Sequence, residues 1–261
     1  MNILQEIAGR TTERVAMQKK ILPMERVIEM VRPCTENSFP FENALQGEDV
    51  AFICEIKKAS PSKGIIAESF PYLDIAKDYE TAGAAAISVL TEPFYFMGSD
   101  SYLLEIAGTV KIPLLRKDFT VDSYMIYEAK LLGASAVLLI CSILDRDTLA
   151  EYIEISHSIG LSALVEVHCE NEIAMAMSAG ARIIGVNNRN LKTFEVDIAL
   201  SEQLRKLVPP DILFVSESGI TSPADIAKLR QIGANAALIG ESLMRREDKK
   251  AEICRLRGML A

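Results

Sequence analysis

A glutamate and a lysine that close an apolar run have the chemistry for proton transfer. The run begins at Ala51, and Glu55 and Lys57 end it two residues apart. Because side chains on a strand alternate between its two faces, these two charges point the same way. Burying such a pair is costly unless it has partners or a function. A loop with two serines, a proline, a lysine and a glycine (residues 60–64) follows at once, so we predict the rim of an active site that can hold an anion.

Short apolar runs recur eight times after residue 50 and predict the strands that position such a site. Most of them lack alternation of apolar and polar residues, as expected of parallel strands that are covered on both faces. We predict strands at Ala51–Glu55, Ala86–Leu90, Pro113–Arg116, Ala136–Ile140, Ala163–Val167, Ile183–Val186, Ile212–Ser216 and Ala236–Ile239.

Helical patterns fill the gaps between these runs. We predict helices at Tyr72–Ala82, Ser123–Leu132, Glu170–Ala179 and Pro223–Ile232, each followed by a glycine, which is favoured just past a helix end. Ser222 before Pro223 is typical of a helix start. Eight strand–helix units in about 210 residues predict an α/β fold, a single (β/α)8 TIM barrel. An open doubly wound sheet is the alternative, but no Gly-x-Gly-x-x-Gly follows any strand.

Residues 1–48 lie outside this repeat of strands and helices. Their pattern predicts two helices, Asn2–Lys20 and Pro23–Val31. We therefore expect an N-terminal helical extension (1–48) on a barrel catalytic domain (49–261), the two forming one domain overall. The sequence does not decide whether the extension covers the bottom of the barrel or packs beside its top.

Polar residues follow most of the predicted strands, at the end where active sites of this fold lie. Lysines and glutamates that converge on one cavity set each other's protonation states. Any single one of them could equally be a structural ion pair, and we interpret His168 as a structural imidazole. The set consists of Glu55, Lys57, Glu92, Lys117, Asp118, Glu166, His168, Asn187, Asn188, Arg189, Glu217 and Ser218.

The loops after the last two strands predict a phosphate site. Residues 216–220 and 239–243 each place a glycine and a hydroxyl where backbone N–H groups can converge. A short helix that begins near Gly240 would direct its dipole at the anion. Ser60 and Lys63 from the first loop would close the cage. The alternative is that Gly240 is an ordinary turn glycine.

Composition excludes several other classes of function. The net charge of -8 argues against a nucleic-acid or membrane partner. Five scattered cysteines fit reduced thiols in a cytoplasmic protein, and Met1–Lys20 lacks the apolar core of a signal peptide. There is no run of roughly 20 apolar residues, so we expect a soluble protein. Zinc-ligand spacing, a Gly-x-Ser-x-Gly elbow and a Walker loop are also missing.

Motifs at nearly every predicted strand end, over roughly residues 50–245, resemble those of the indole-3-glycerol phosphate synthase family. The matching segments are Glu55-Ile56-Lys57-x-x-Ser60-Pro61-Ser62, Leu90-Thr91-Glu92, Phe96-x-Gly98-Ser99, Arg116-Lys117-Asp118-Phe119, Leu164-Val165-Glu166-Val167-His168, Gly185-Val186-Asn187-Asn188-Arg189-Asn190-Leu191, Ser216-Glu217-Ser218-Gly219-Ile220 and Gly240-Glu241-Ser242-Leu243-Met244. Any one of them alone is unspecific, but together and in order they are specific.

The resemblance implies an enzyme of tryptophan biosynthesis that needs no cofactor and no metal. Its substrate would be 1-(2-carboxyphenylamino)-1-deoxyribulose 5-phosphate, which closes its ring, loses carbon dioxide and then water. Lys117 would be the acid at the ketose carbonyl, and Glu166 its acid–base partner. Lys57 would hold the anthranilate carboxylate, and Glu55 would orient the lysines. The division of labour between the two lysines stays open.

The resemblance also implies supporting roles for residues around these four. Asn187 and Glu217 would hold hydroxyl or amine groups, Ser218 stands beside them in the catalytic set, and Arg189 would order the substrate-binding groups. The wall around the aromatic ring would consist of Phe96, Phe119, Pro61, Leu138 and Leu191. The phosphate would be bound by Ser60, Lys63, Gly219, Gly240 and Glu241. Since a carboxylate repels phosphate, we expect the Glu241 side chain to point outward and only its N–H to contribute.

Two other functions remain open on the same residues. One is a phosphosugar aldolase or isomerase in which Lys117 forms a Schiff base, since fold does not fix function. The other is a phosphate-binding barrel that acts as an interaction subunit without catalysis. For the synthase, the expected partner is a small phosphorylated, anthranilate-derived substrate, and the expected state is a monomer or a weak homo-oligomer.

Overall fold

Within the residues that the computed structural model describes (3–32, 38–190 and 193–259), eight parallel strands close into a barrel. The strands are β1 (Ala51–Ile56), the short hairpin β2 (Ala59–Ser60) and β3 (Gly64–Ile65), β4 (Ala86–Leu90), β5 (Leu114–Lys117), β6 (Ala136–Ile140), β7 (Ser162–Val167), β8 (Ile183–Asn187), β9 (Leu213–Glu217) and β10 (Ala236–Ile239). Apart from the hairpin, each pairs with its neighbours in chain order, and β1 pairs with both β4 and β10. This closure confirms the TIM barrel and excludes the open sheet.

The helices alternate with the strands. They are α1 (Ile3–Ile21), α2 (Met24–Val31), α3 (Pro40–Leu45), α4 (Tyr72–Thr81), α5 (Asp100–Ala107), α6 (Ser123–Leu131), α7 (Arg146–Ser158), α8 (Glu170–Ser178), α9 (Ala199–Arg205), α10 (Pro223–Gln231), α11 (Glu241–Met244) and α12 (Lys249–Leu256). The start of α10 is the predicted one, because the Ser222 hydroxyl accepts a hydrogen bond from the Asp225 N–H in a capping box. None of the helices in the described ranges is long and apolar enough to cross a bilayer.

The barrel strands are buried on both faces, which explains their continuous apolar runs. Side chains such as Phe52, Val165 and Phe214 pack outward against the helices. Those of Ile53 and Leu164 fill the inside of the barrel. Full burial of one such side chain contributes about 1.5–3 kcal/mol, so the strands are held in place from two sides.

The N-terminal segment closes the bottom of the barrel with α3. Phe41 and Leu45 are fully buried in the same cluster as the barrel interior. Arg182, which directly precedes β8, donates to the Glu42 carboxylate at 2.8 Å. Because β8 starts at the bottom of the barrel, this ion pair places α3 at that end.

The top of the barrel is covered by α1. Arg14 donates to Asp118, just after β5, at 2.8 Å. At the other end of α1, Tyr95 in the loop after β4 donates its hydroxyl proton to Glu6 at 2.6 Å. The extension therefore contacts both ends of the barrel. The sequence left open which end it covers, and the structure shows α3 at the bottom and α1 at the top.

Candidate active site

A cavity of about 680 Å³ lies at the C-terminal ends of the strands, a volume typical of small-molecule sites. Every site residue predicted from the sequence that falls within the described ranges lines it. Leu191, predicted for the aromatic wall, lies outside the described residues. Two polar residues of the wider strand-end set have structural roles instead. Glu92 accepts three backbone N–H groups of its own loop, from Phe94, Tyr95 and Phe96, and Asn188 holds Ser201.

Lys117 lies between two carboxylates at the centre of the cavity floor. Its Nζ is 2.9 Å from Glu217 Oε2 and 3.0 Å from Glu166 Oε2. Together with Glu55, these residues come from β1, β5, β7 and β9, which are alternate strands of the barrel. A layer of four inward side chains from alternate strands is the regular filling of such a barrel. In this barrel, the layer nearest the C-terminal ends of the strands consists of four ionisable side chains.

The charges around Lys117 keep it protonated. Burial by itself disfavours the ammonium, but the surrounding carboxylates, Glu217 and Glu166 foremost, raise the pKa of Lys117 above its ordinary value. At neutral pH the group is therefore a cation that can stabilise negative charge and donate a proton.

The two carboxylates that flank Lys117 differ in their affinity for protons. Burial raises the pKa of Glu217 to about 7 despite the opposing charge of Lys117. Burial acts in the same direction on Glu166, but Lys117 and His168 hold the pKa of that carboxyl below its ordinary value. The site thus combines one carboxylate that stays ionised with one carboxyl that titrates near neutrality, an arrangement suited to proton transfer.

Glu55 and Lys57 form the ion pair that their spacing predicts. The Lys57 ammonium donates to the Glu55 carboxylate, and the lysine side chain retains 17% exposure toward the cavity. Gly240 packs directly against this pair. A β-carbon there would collide with the Glu55 carboxylate and lie 3.1 Å from Lys57 Nζ. Its φ of −117° suits any residue, so space and not backbone conformation requires glycine.

Asn187 is held in place by its neighbours. The Ser218 hydroxyl and the Arg189 backbone N–H both donate to its Oδ1, at 2.9 and 3.1 Å. The guanidinium of Arg189 in turn donates to the Phe194 carbonyl at 3.2 Å. Asn187 also helps to lower the pKa of Glu166, so it links the β8 and β9 loops to the ionised carboxylate.

One side of the cavity is apolar. The rings of Phe96 and Phe119 meet with centroids 6.2 Å apart and planes tilted by 39°, next to Pro61 and Leu138. Sequence reasoning missed part of this wall, because Ile3, Leu4 and Ile7 of α1 also line the cavity. Their apolar spacing was visible in the sequence, but it did not say which end of the barrel α1 covers.

The predicted phosphate-binding residues border the same cavity. Gly219 has φ of +84°, a conformation that favours glycine, and the preceding Ser218 is also left-handed, at φ +67°. Ser60 on the hairpin and Gly240 at the start of α11 complete the rim, with Lys63 above it. Backbone N–H groups and a flexible cation are typical of phosphate sites.

The expectation that Glu241 points outward is wrong. Its carboxylate is 3.0 Å from Arg245 Nε, 3.8 Å from Lys63 Nζ and 4.0 Å from Arg189 Nη2. The side chain is only 29% exposed. The carboxylate therefore turns toward these three cations. The spacing of four residues between Glu241 and Arg245, which places both on one helix face, is the sequence signal that could have found this pair.

The fold and the site define a class: a TIM-barrel enzyme with a buried lysine–carboxylate centre, an aromatic wall and a rim of glycines and cations. The model of the family described as "Indole-3-glycerol phosphate synthase" matches residues 4–256. The chain belongs to this family, which confirms the resemblance seen in its motifs.

Individual relatives agree with this assignment. A protein named indole-3-glycerol phosphate synthase from Ruminiclostridium cellulolyticum is 60% identical over 257 residues, covering 98% of this chain and 99% of that one. A protein of the same name from Lachnoclostridium phytofermentans is 48% identical over 270 residues, covering 99% and 100%. Among solved structures, an N-acetylmannosamine-6-phosphate 2-epimerase from Clostridium perfringens matches 77% of this chain and 90% of its own, with a TM-score of 0.61 and 18% identity. That likeness shows the fold alone.

Proposed function

We propose that this chain converts 1-(2-carboxyphenylamino)-1-deoxyribulose 5-phosphate into indole-3-glycerol phosphate, with Lys117 as the central acid. The observation that carries the proposal is the Lys117 ammonium held by Glu166 and Glu217 on a floor bordered by Phe96 and Phe119. The site offers a proton donor, a proton acceptor and an apolar wall within one cavity. These are the groups that closure of an aromatic ring onto a ketone requires.

In the first step the ring carbon that bears the carboxylate attacks the ketose carbonyl. The carbonyl electron pair moves to oxygen, and Lys117 donates the proton that this oxygen takes up. An ammonium fixed beside the developing alkoxide stabilises it more than water does, because its position is set before the reaction. General acid catalysis of this kind contributes about 10²–10⁴-fold.

The second step is loss of carbon dioxide. Lys57 pairs with Glu55 and is partly exposed to the cavity. It binds the substrate carboxylate and holds it out of the plane of the aromatic ring. When the carbon–carboxylate bond breaks, its electron pair returns to the ring and restores aromaticity. No proton is needed in this step, so the Lys57–Glu55 pair acts by charge and orientation.

In the last step the former carbonyl oxygen leaves as water, and the neighbouring carbon loses a proton. A protonated group must supply one proton to the departing hydroxyl, and a carboxylate must accept the other. Glu166, kept ionised by Lys117, is the acceptor. Glu217, with its pKa of about 7, is suited to exchange protons with Lys117 at the same time.

The phosphate and the ribulose hydroxyls bind along the rim. The phosphate is received by backbone N–H groups near Gly219, Gly240 and Glu241, with Ser60 and Lys63 from the hairpin. Arg245 joins them, because its guanidinium pairs with the Glu241 carboxylate at this rim. Asn187 and Ser218 hold hydroxyl groups, and Arg189 keeps their loop in place.

We propose further that residues 1–48 and the barrel act as one domain, since α1 and α3 contact its two ends. A cytoplasmic setting suits the unpaired thiols of Cys54, Cys141, Cys169 and Cys254. We expect a monomer or a weak homo-oligomer, which light scattering at two protein concentrations would test.

Indole fluorescence gives a direct test of the activity. The chain contains no tryptophan, so product formation from the carboxyphenylamino-deoxyribulose phosphate would appear against a tyrosine background. A Schiff-base aldolase would instead be labelled covalently by borohydride in the presence of substrate. We expect no label, because a Schiff base needs a neutral amine and the neighbours of Lys117 keep it charged. Absence of an indole signal would refute the proposed function.

A further inference from the structure

His168 contacts the catalytic centre without lining the cavity. Its Nε2 lies 3.5 Å from Glu166 Oε1, the oxygen that does not contact Lys117. That nitrogen is fully buried and makes no hydrogen bond within the described part of the chain. A buried nitrogen of an ionisable ring that faces a catalytic carboxylate is well placed to exchange a proton with it.

The other edge of the imidazole leads to solvent. Nδ1 lies 3.4 Å from Glu172 Oε2 and 3.4 Å from the Ser142 hydroxyl. Ser142 is exposed in the turn after β6, and it donates to Glu172 at 2.7 Å. Glu172 is itself 19% exposed. A line of polar groups therefore runs from the surface to Glu166 between β6, β7 and α8, outside the substrate cavity.

The proposed reaction has a need that this line meets. The substrate carries a carboxylate anion that leaves as neutral carbon dioxide, and the hydroxyl leaves as water. Two protons are donated, one to the carbonyl oxygen and one to the departing hydroxyl, and one is recovered from carbon. Each turnover thus consumes one proton, which has to be replaced from solvent before Lys117 can act again.

We propose that His168, supported by Glu172, passes protons from solvent to Glu166 and so recharges Lys117 between turnovers. The imidazolium gives its Nε2 proton to Glu166 Oε1 and becomes neutral, and Glu166 passes a proton across the 3.0 Å contact to the Lys117 amine. The neutral ring keeps its proton on Nδ1, so it first turns over and brings Nε2 to the Ser142–Glu172 edge, where that nitrogen takes up a proton from solvent. This inference rests on the proposed function, because the proton demand comes from that reaction.

The electrostatic surroundings allow the ring to carry a proton near neutral pH. Burial alone would lower the pKa of His168, but its contact with Glu172 and the charge of Glu166 raise it above the ordinary value. The ionisable groups that face the ring or its carboxylate partners are Glu166 on β7, Glu172 on α8, Glu217 on β9, Cys141 after β6 and Lys117 on β5.

The test compares His168→Gln and Glu172→Gln with the wild type in single-turnover and steady-state measurements. A relay residue is not needed for the first turnover, because Lys117 is already protonated. We expect a nearly unchanged single-turnover rate, a KM within twofold and a steady-state kcat that falls about tenfold or more for His168→Gln. Adding imidazole to the buffer should restore much of the lost kcat. Glu172→Gln, which keeps the ring, should show a smaller loss of the same kind.

His157→Gln is the matched control, since His157 packs on Phe39 and beside Arg182 at the bottom of the barrel. It should leave kcat and its buffer dependence unchanged. An unchanged steady-state kcat in a folded His168→Gln protein would overturn the relay. So would an equal fall of single-turnover and steady-state rates without rescue by imidazole, which would give His168 only a role in holding Glu166. In both cases the proposed function would stand, because it depends on wild-type turnover.

Discussion

Gly185 on β8 leaves the space that the Glu217 carboxylate of β9 fills. A β-carbon at Gly185 would collide with Glu217 Oε1 and lie 3.1 Å from Leu164 Cδ1. That oxygen is fully buried and makes no hydrogen bond among the described residues. The tight fit explains why burial is the largest influence on the pKa of Glu217. A residue with no side chain thus sets the properties of an ionisable group.

Gly185→Ala should therefore displace Glu217 and lower kcat by about 10²-fold, with a stability loss of about 1–3 kcal/mol from overpacking. Thermal unfolding and steady-state kinetics would measure the two effects. Gly9→Ala is the control, because a β-carbon at Gly9 meets nothing within 4 Å. That helix substitution should be neutral or slightly stabilising. Full activity in Gly185→Ala would mean that the position of Glu217 is not critical.

Lys117→Met should abolish turnover while the substrate still binds, because methionine keeps much of the side-chain volume but cannot donate a proton. We expect kcat to fall about 10²–10⁴-fold. Binding would be measured by calorimetry with the substrate, which the variant leaves intact. The exposed Lys111→Met provides the same substitution away from the site and should behave as wild type. Retention of near-full kcat would rule out Lys117 as the acid.

Glu166→Gln and Glu217→Gln should differ in their pH–rate profiles. Glu166→Gln should be nearly inactive at every pH, because the amide cannot accept the proton from carbon. Glu217→Gln should keep more activity but lose a titration near pH 7, the value to which burial raises the pKa of Glu217. If Glu166→Gln kept both its activity and the wild-type profile, the acid–base assignment would fail.

The same carboxyl has a consequence for stability. The pKa of Glu217 is about 7 in the folded chain and ordinarily 4.5. Between these pH values the folded chain binds more protons than the unfolded chain, so the contribution of Glu217 to stability falls as the pH rises from about 4.5 to about 7. Denaturant unfolding at pH 5 and pH 7 should show this loss in the wild type and a smaller one in Glu217→Gln. An identical pH dependence of the free energy of unfolding in both proteins would contradict the raised pKa.

Glu241→Gln should strengthen phosphate binding. In the free site its carboxylate pairs with Arg245 and Lys63, the cations that an incoming phosphate would use, and lies 4.0 Å from Arg189. Removing one negative charge at about 4 Å is worth about 1 kcal/mol, or roughly fivefold. We expect KM and the inhibition constant of inorganic phosphate to fall together, with kcat nearly unchanged. The exposed Glu247→Gln makes the same charge change and should have little effect; an inhibition constant that changes equally in both variants would argue against a specific role for Glu241.

Much of the fold was readable in the sequence because its signals are local. The eight barrel strands lie within one residue of the predicted bounds at either end, since continuous apolar runs mark strands buried on both faces. The short hairpin of β2 and β3, which we read as a loop, has no such run. Ser222, the N-cap residue, predicts the helix that starts at Pro223. The ion pair of Glu55 and Lys57 followed from strand alternation alone. These features depend on residues that are neighbours in the chain.

Only the tertiary structure decided how distant groups act on one another. Lys117 and Glu217 are 100 residues apart and meet at 2.9 Å because alternate strands of a closed barrel point into one layer. The different proton affinities of Glu166 and Glu217 arise from that geometry, and so does the contact of His168 with Glu166. Periodicity identifies which residues face inward, but distance, burial and competing charge determine what an ionisable side chain does there, and those quantities exist only in the folded chain.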